Sequence, residues 1–141
     1  MEYAHETTED MAKAMGRSIP ISHKVAIEIA NEIRGMNVDK ATDFLKKVKQ
    51  GDEAIPMKRF TEGAGHKTGM AAGKHPEKAS EEFLRFIKMA KDNAINQGLE
   101  DNLILKHVVA NKAENQRSYG RHAQRTFKRT HLQIFVEEVQ E

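Results

Sequence analysis

Two alternating runs, Leu103 to Val109 and Leu132 to Val136, are separated by about twenty residues that no core can absorb. The interruption, Asn111 to Thr130, reads N-K-A-E-N-Q-R-S-Y-G-R-H-A-Q-R-T-F-K-R-T and carries no apolar period. Paired antiparallel, the two runs form a hairpin whose limbs overrun their sheet, and at ~3.3 Å per residue the tip stands roughly 30 Å from the core. Lys112, Arg117, Arg121, Arg125, Lys128 and Arg129 oppose a single acid, Glu114. Such a segment suits a polyanion: Lys and Arg neutralise phosphates, Arg matches them with two parallel donors, and Tyr119 and Phe127 offer rings for base stacking. The alternative is an ordinary solvated loop with Phe127 tucked against the sheet.

The net charge of +2 over 141 residues would not by itself suggest such a partner. Its distribution does. Residues 1–10 hold Glu2, Glu6, Glu9 and Asp10 without a Lys or Arg, and Glu137, Glu138 and Glu141 close the chain, so acid at both ends masks a basic middle. With no cysteine there is neither a disulfide framework nor a thiolate metal site. No apolar run approaches the roughly 18 residues of a membrane span, and no signal peptide is legible, so a cytoplasmic protein is expected.

Residues 1–10 are expected to be a disordered acidic tail, and residues 11–141 a single domain. Met11, Met15, Ile19 and Ile21 recur at odd positions as a short strand, weakened by Gly16 and Pro20. Ser22 can cap a helix bearing Val25, Ala26, Ile29, Ala30 and Ile33 and ended by Gly35. A second helix starts near Asn37, buries Val38, Ala41, Phe44, Leu45 and Val48, and stops at Gly51. Residues 52–75 form a long glycine-rich basic loop with Lys58, Arg59, Lys67 and Lys74, anchored by Ile55, Pro56, Met57 and Phe60. Pro76 suits the first turn of a third helix, whose face is Ala79, Phe83, Phe86, Ile87, Ala90 and Ala94 and whose end is Gly98. Helices on one face of a small antiparallel sheet, an α+β fold, follow from this order, with a hairpin arm over 110–131.

No catalytic set accompanies this framework. Gly63 to Thr68 reads G-A-G-H-K-T and Gly69 to His75 reads G-M-A-A-G-K-H; neither keeps the spacing of a phosphate-binding P-loop. The seven histidines include no pair at zinc-ligand spacing, and solvated or phosphate-facing histidines are expected. Ser18, Ser22, Ser80 and Ser118 lack an activating base motif, and Glu81-Glu82 and Glu137-Glu138 suit solvated faces. No enzyme, cofactor, metal or small-molecule substrate is expected. A DNA-bending protein with β-arms is the alternative, but such arms insert an apolar wedge, and the tip Tyr119-Gly120-Arg121 has none.

The order and spacing of A-M-G-R at 14–17, I-R-G at 33–35, G-H-K-T-G-M-A-A-G-K-H-P at 65–76, A-K-D-N-A at 90–94, G-L at 98–99, R-S-Y-G-R at 117–121 and K-R-T-H at 128–131 resemble the archaeal and eukaryotic branch of large-subunit ribosomal protein L-twenty-two, from about Ala12 to Val139. The resemblance implies three helices on a three-stranded antiparallel sheet with a long protruding hairpin. It also implies a structural role: binding large-subunit rRNA beside neighbouring ribosomal proteins, as a monomer within a cytoplasmic ribosome, and supporting subunit assembly. By position, Arg17, Lys58, Arg59, Lys67, Lys74, Lys112, Arg117, Tyr119, Arg121, Arg125, Lys128 and Arg129 would contact rRNA. Arg117, Ser118, Tyr119, Gly120, Arg121 and His122 would form the tip that meets the nascent polypeptide in the exit tunnel. His122 stands where the family has a small residue, and Glu114, Asn115 and Gln116 replace a more basic outgoing limb, which implies weaker RNA contact there.

Overall fold

The computed structural model describes residues 2–99 and 102–139. Strand β1 (Met11–Ile19) is followed by helices α1 (His23–Ile33) and α2 (Val38–Gln50). Strands β2 (Ile55–Pro56), β3 (Gly65–Lys67) and β4 (Met70–Lys74) lead into α3 (Glu77–Asn96). Strands β5 (Leu103–Lys112), β6 (Gln116–Arg117), β7 (Thr126–Phe127) and β8 (Thr130–Glu138) complete the chain. The main sheet is three-stranded and antiparallel, as expected, with the order β1-β8-β5, and the helices cover one of its faces. No helix among the described residues is long and apolar enough to cross a membrane.

Register explains which residues enter the core. Ala12, Ala14 and Gly16 pair with Val136, Ile134 and Leu132, and these six face the helices. The inward phase of β1 is therefore even-numbered, and the odd-position pattern of methionines combined two faces. A bulge at Arg17 and Ser18, with Ser18 at φ 50°, opposes two residues to one and returns Ile19 to the core. Gly16 is what lets α3 approach. A Cβ there would stand 2.5 Å from both Phe86 Cζ and Ile19 Cδ1. A second register shift, between Leu105 and His107, changes phase in β5, so Leu103, Leu105 and Val108 all point inward.

The helices start and stop near their sequence signals. Asn37 caps α2 by accepting from the Asp39 amide at 2.9 Å, and Gly35 and Gly51 take φ 84° and 89° at helix ends, where a side chain would be strained. Ser22 occupies the cap position of α1, but its side chain makes no cap hydrogen bond; its carbonyl accepts from Ala26 instead. Pro76 lies one residue before α3, at the cap.

Two expectations change. Residues 52–75 are irregular only in part: 57–64 form no helix or strand, but β2, β4 and β3 make a second antiparallel sheet in that order, with Ile55 and Met57 buried. Its short strands are rich in Gly and Ala, so no alternation of large apolar residues announced it. Glycine serves here as a contact surface; a Cβ on Gly73 would clash with Met70 and Lys67. Residues 2–5, within the tail expected to be disordered, lie against the sheet face that the helices leave open. The Ala4 amide donates to Gln133 Oε1 at 2.8 Å, and Gln133 Nε2 donates to the Glu2 carbonyl at 3.0 Å. Tyr3 and His5 meet the Phe135 ring edge-on, each at 5.6 Å, and His5 stacks on His107 at 3.9 Å. Buried Phe135 and Gln133 thus carry the outward phase of β8, and the tail supplies their cover. Met1, Glu100, Asp101, Gln140 and Glu141 lie outside the described residues.

Candidate nucleic-acid interface

Strands β5 and β8 stay paired out to Lys112 opposite Thr130, so the arm leaves the sheet later than residue 110. Ala113 is buried and donates to the Arg129 carbonyl at 3.0 Å. Pairing resumes at Gln116 with Phe127 and Arg117 with Thr126, and the Ser118 amide closes the ladder on Arg125 at 2.8 Å. Beyond it a single 3-10 turn, Gly120–His122, reverses the chain, with Gly120 at φ 72°. The tip is open to solvent: Tyr119 is 93% exposed, Gly120, Arg121 and His122 are exposed, and only Ser118 is half-buried. Phe127, 53% exposed, is not tucked against the sheet.

Thr130 fixes the root of this arm. Its buried hydroxyl donates to the Ile21 carbonyl at 2.9 Å, which sets Lys128 beside the first turn of α1. From α1, Glu28 holds the next wall. This carboxylate is 2% exposed and accepts three backbone amides: Arg59 at 2.8 Å and Phe60 at 3.1 Å on Oε1, and Lys58 at 3.2 Å on Oε2. A buried carboxylate is tolerable because donors converge on it. The effect is to clamp the chain between β2 and β3, with the Lys58 and Arg59 side chains facing outward.

These two anchors bring four elements to one place. Lys24, Arg59, Lys74 and Lys128 line a cleft of about 530 Å³ floored by Phe60 and Met57. Arg59 and Lys24 lie over the Phe60 ring at 4.9 and 5.6 Å. His23 meets the same ring edge-on at 6.4 Å. Burial first, then the charges of Lys112, Lys24, Lys128 and Arg59, hold its imidazole below the ordinary value of 6.5.

Charge pairing is concentrated on α2 and α3, although Lys40, Lys78 and Lys88 of these helices make no ion pair among the described residues. Among the described residues, ion pairs within 4.0 Å are made by Lys46, Lys47 and Lys49 of α2, Arg85 and Lys91 of α3, and Lys106 of β5. None of Lys24, Lys58, Arg59, Lys67, Lys74, Lys112, Arg117, Arg121, Arg125, Lys128 or Arg129 has such a partner among the described residues. Arg129 instead donates to Gln116 Oε1 at 3.4 Å across the hairpin. Uncompensated cations on one arm and one small sheet create a positive potential that the modest net charge conceals.

Of the sequence-predicted RNA contacts, Arg59, Lys74, Lys112 and Lys128 come together at the arm's root. Lys58 and Lys67 line a neighbouring groove beside α2, Arg17 sits in the β1 bulge, and Arg117, Tyr119, Arg121 and Arg125 lie out along the arm. Sequence reasoning missed Lys24, His23 and Glu28. For Glu28 a signal existed, since an acid three residues after Val25 and one before Ile29 falls on the apolar stripe of α1.

The family model described as ribosomal protein L22p/L17e matches residues 14–137. The chain is 39% identical over 122 residues to the large ribosomal subunit protein uL22 of Natronomonas pharaonis, covering 80% of this chain and 79% of that protein. It is 36% identical to the protein of that name from Methanococcus aeolicus, covering 98% and 97% of the two chains. The corresponding protein of Ignicoccus hospitalis is 35% identical, with 99% and 95% covered. With a family match spanning β1 to β8 and archaeal relatives aligned over nearly their whole lengths, the chain belongs to the ribosomal protein L22p/L17e family, a family of structural ribosomal proteins rather than enzymes.

Proposed function

We propose that this protein is a structural constituent of the large ribosomal subunit in the cytoplasm, binding rRNA through its hairpin arm and small sheet. The observation that carries the proposal is the concentration of unpaired cations on the arm and around Phe60. Among the described residues, the ion pairs fall on α2, α3 and β5, where they hold Lys46, Lys47, Lys49, Arg85, Lys91 and Lys106 but not Lys40, Lys78 or Lys88, and the cations of the arm and around Phe60 make none. Arg17, Lys58, Arg59, Lys67, Lys74, Lys112, Arg117, Arg121, Arg125, Lys128 and Arg129 supply phosphate contacts, and Tyr119 supplies a stacking face. The helical body acts as a monomeric platform beside neighbouring ribosomal proteins, while the arm, too polar to be held by its own domain, is held by RNA and so supports assembly. Its tip, Arg117 to His122, lines the exit tunnel and meets the nascent polypeptide; the exposure of Tyr119 and Arg121 is in keeping with this role.

Co-sedimentation of the tagged protein with large subunits from its own cell, through a high-salt cushion, tests the assembly role. Recovery with small subunits or in the soluble fraction alone overturns it. A photo-crosslinking residue at Tyr119 tests the tip: stalled translating ribosomes should give a crosslink to the nascent chain, and a crosslink to rRNA alone removes the tunnel assignment.

A further inference from the structure

We infer that the cleft at the arm's root is a receptor for one unpaired nucleotide, with its phosphate among Lys24, Lys74 and Lys128 and its base stacked on the Arg59–Phe60 pair. This inference deepens the rRNA-binding proposal and rests on it. The cleft's volume of about 530 Å³ falls within the roughly 300–1,000 Å³ of small-molecule sites. Four cations line it against one carboxylate, Glu62, and those cations have no ion-pair partner among the described residues. A half-buried Phe60 with a guanidinium at 4.9 Å provides a planar, polarised surface. That surface suits the π-face of a base. An acidic peptide would match the charges and leave the ring unused. A duplex cannot enter, because its bases are already stacked. The cleft's geometry is fixed without a ligand, since Glu28 clamps the backbone of Arg59 and Phe60 and Thr130 anchors the limb that carries Lys128.

The test uses the full chain and a single-stranded eight-nucleotide oligoadenylate containing one 2-aminopurine, with large-subunit rRNA measured in parallel. Phe60→Leu keeps the apolar anchor and removes the ring. It should weaken oligoadenylate binding roughly five- to a hundredfold and abolish the fluorescence quench, whereas Phe60→Tyr should retain both. Lys24→Gln with Lys74→Gln, which leaves Phe60 untouched, should weaken binding to a similar degree. Neither the duplex form of the oligonucleotide nor hexaglutamate should compete. If the wild type binds rRNA but Phe60→Leu binds oligoadenylate unchanged, or if duplex or hexaglutamate competes as well as single strand, the cleft is not a nucleotide receptor and the wider rRNA proposal stands. If the wild type binds neither RNA, both fall.

Discussion

Glu28 joins the fold to the basic surface, and its substitution should damage both in a graded way. Its three amide partners are bonds to a charged acceptor, each contributing ~1.5–3 kcal/mol in general. Lys58 and Arg59 are exposed, so water can reach part of what is freed, and the losses will not simply add. Glu28→Met keeps the side chain's bulk and removes every acceptor; it should cost about 3 kcal/mol. Glu28→Gln can keep its one oxygen on the Arg59 and Phe60 amides but turns an NH₂ towards the Lys58 amide, and should cost about 1–2 kcal/mol. In urea, with m near ~2 kcal/mol/M, the Met variant's midpoint should fall by about 1.5 M and the Gln variant's by less. Amide exchange at Lys58, Arg59 and Phe60 should accelerate in the same order, and rRNA affinity should fall with it because Arg59 loses its fixed position. A Met variant as stable as wild type would refute the clamp. Lost stability with unchanged rRNA affinity would refute the link to binding.

Other consequences are also open to measurement. Gly16→Ala should lose about 1–3 kcal/mol, because Phe86 and Ile19 are buried and cannot yield to the new methyl without strain; a neutral substitution would contradict the close packing of α3 on β1. Replacing Gln116 to Gln124 with a short glycine turn should leave the thermal midpoint nearly unchanged, since none of those residues is buried, and unfolding would show the arm to be part of the core. Burial and neighbouring positive charge hold His23 and His107 below 6.5 in the fold. The unfolded chain therefore takes up protons first, and stability should decline as pH falls from about 6.5 until the folded state titrates too. A stability profile flat from pH 7 to 5 would contradict this. Because bound phosphates favour the His23 cation, rRNA binding should also tighten as pH falls through the same range.

Much of this architecture is legible in the sequence because helices announce themselves over long windows. The stripe from Ala79 to Ala94 and the glycines after each helix placed α1, α2 and α3 almost to the residue. Strands were less transparent where bulges shifted the period. Ser18 and the residue between Leu105 and His107 each break the alternation that identifies a buried face. The β2-β4-β3 sheet was hidden for a different reason: G-M-A-A-G-K is too small-sided to look like a strand, and its pairing is long-range for β2. The covering tail was illegible because acid and low hydrophobicity suggest disorder. Its order depends on Phe135, Gln133 and His107, more than a hundred residues away in the chain. At the interface, charge runs revealed the arm, but the convergence of Lys24, Arg59, Lys74 and Lys128 belongs to tertiary structure alone.

The central claim is that unpaired cations on the arm and small sheet, not positive charge in general, bind large-subunit rRNA. Two quadruple variants of equal charge change test it most directly. One replaces Arg117, Arg121, Arg125 and Lys128 with Gln, and the other replaces the ion-paired Lys46, Lys47, Lys49 and Lys91 with Gln. Affinity for rRNA is then followed against salt. Each phosphate contact contributes roughly −0.7 to −0.9 to the slope of log affinity against log salt, so the arm variant should lose affinity and flatten the slope by about 3. The helix variant should keep the wild-type slope. Equal losses from both variants, or a wild-type affinity indifferent to salt, would contradict the account.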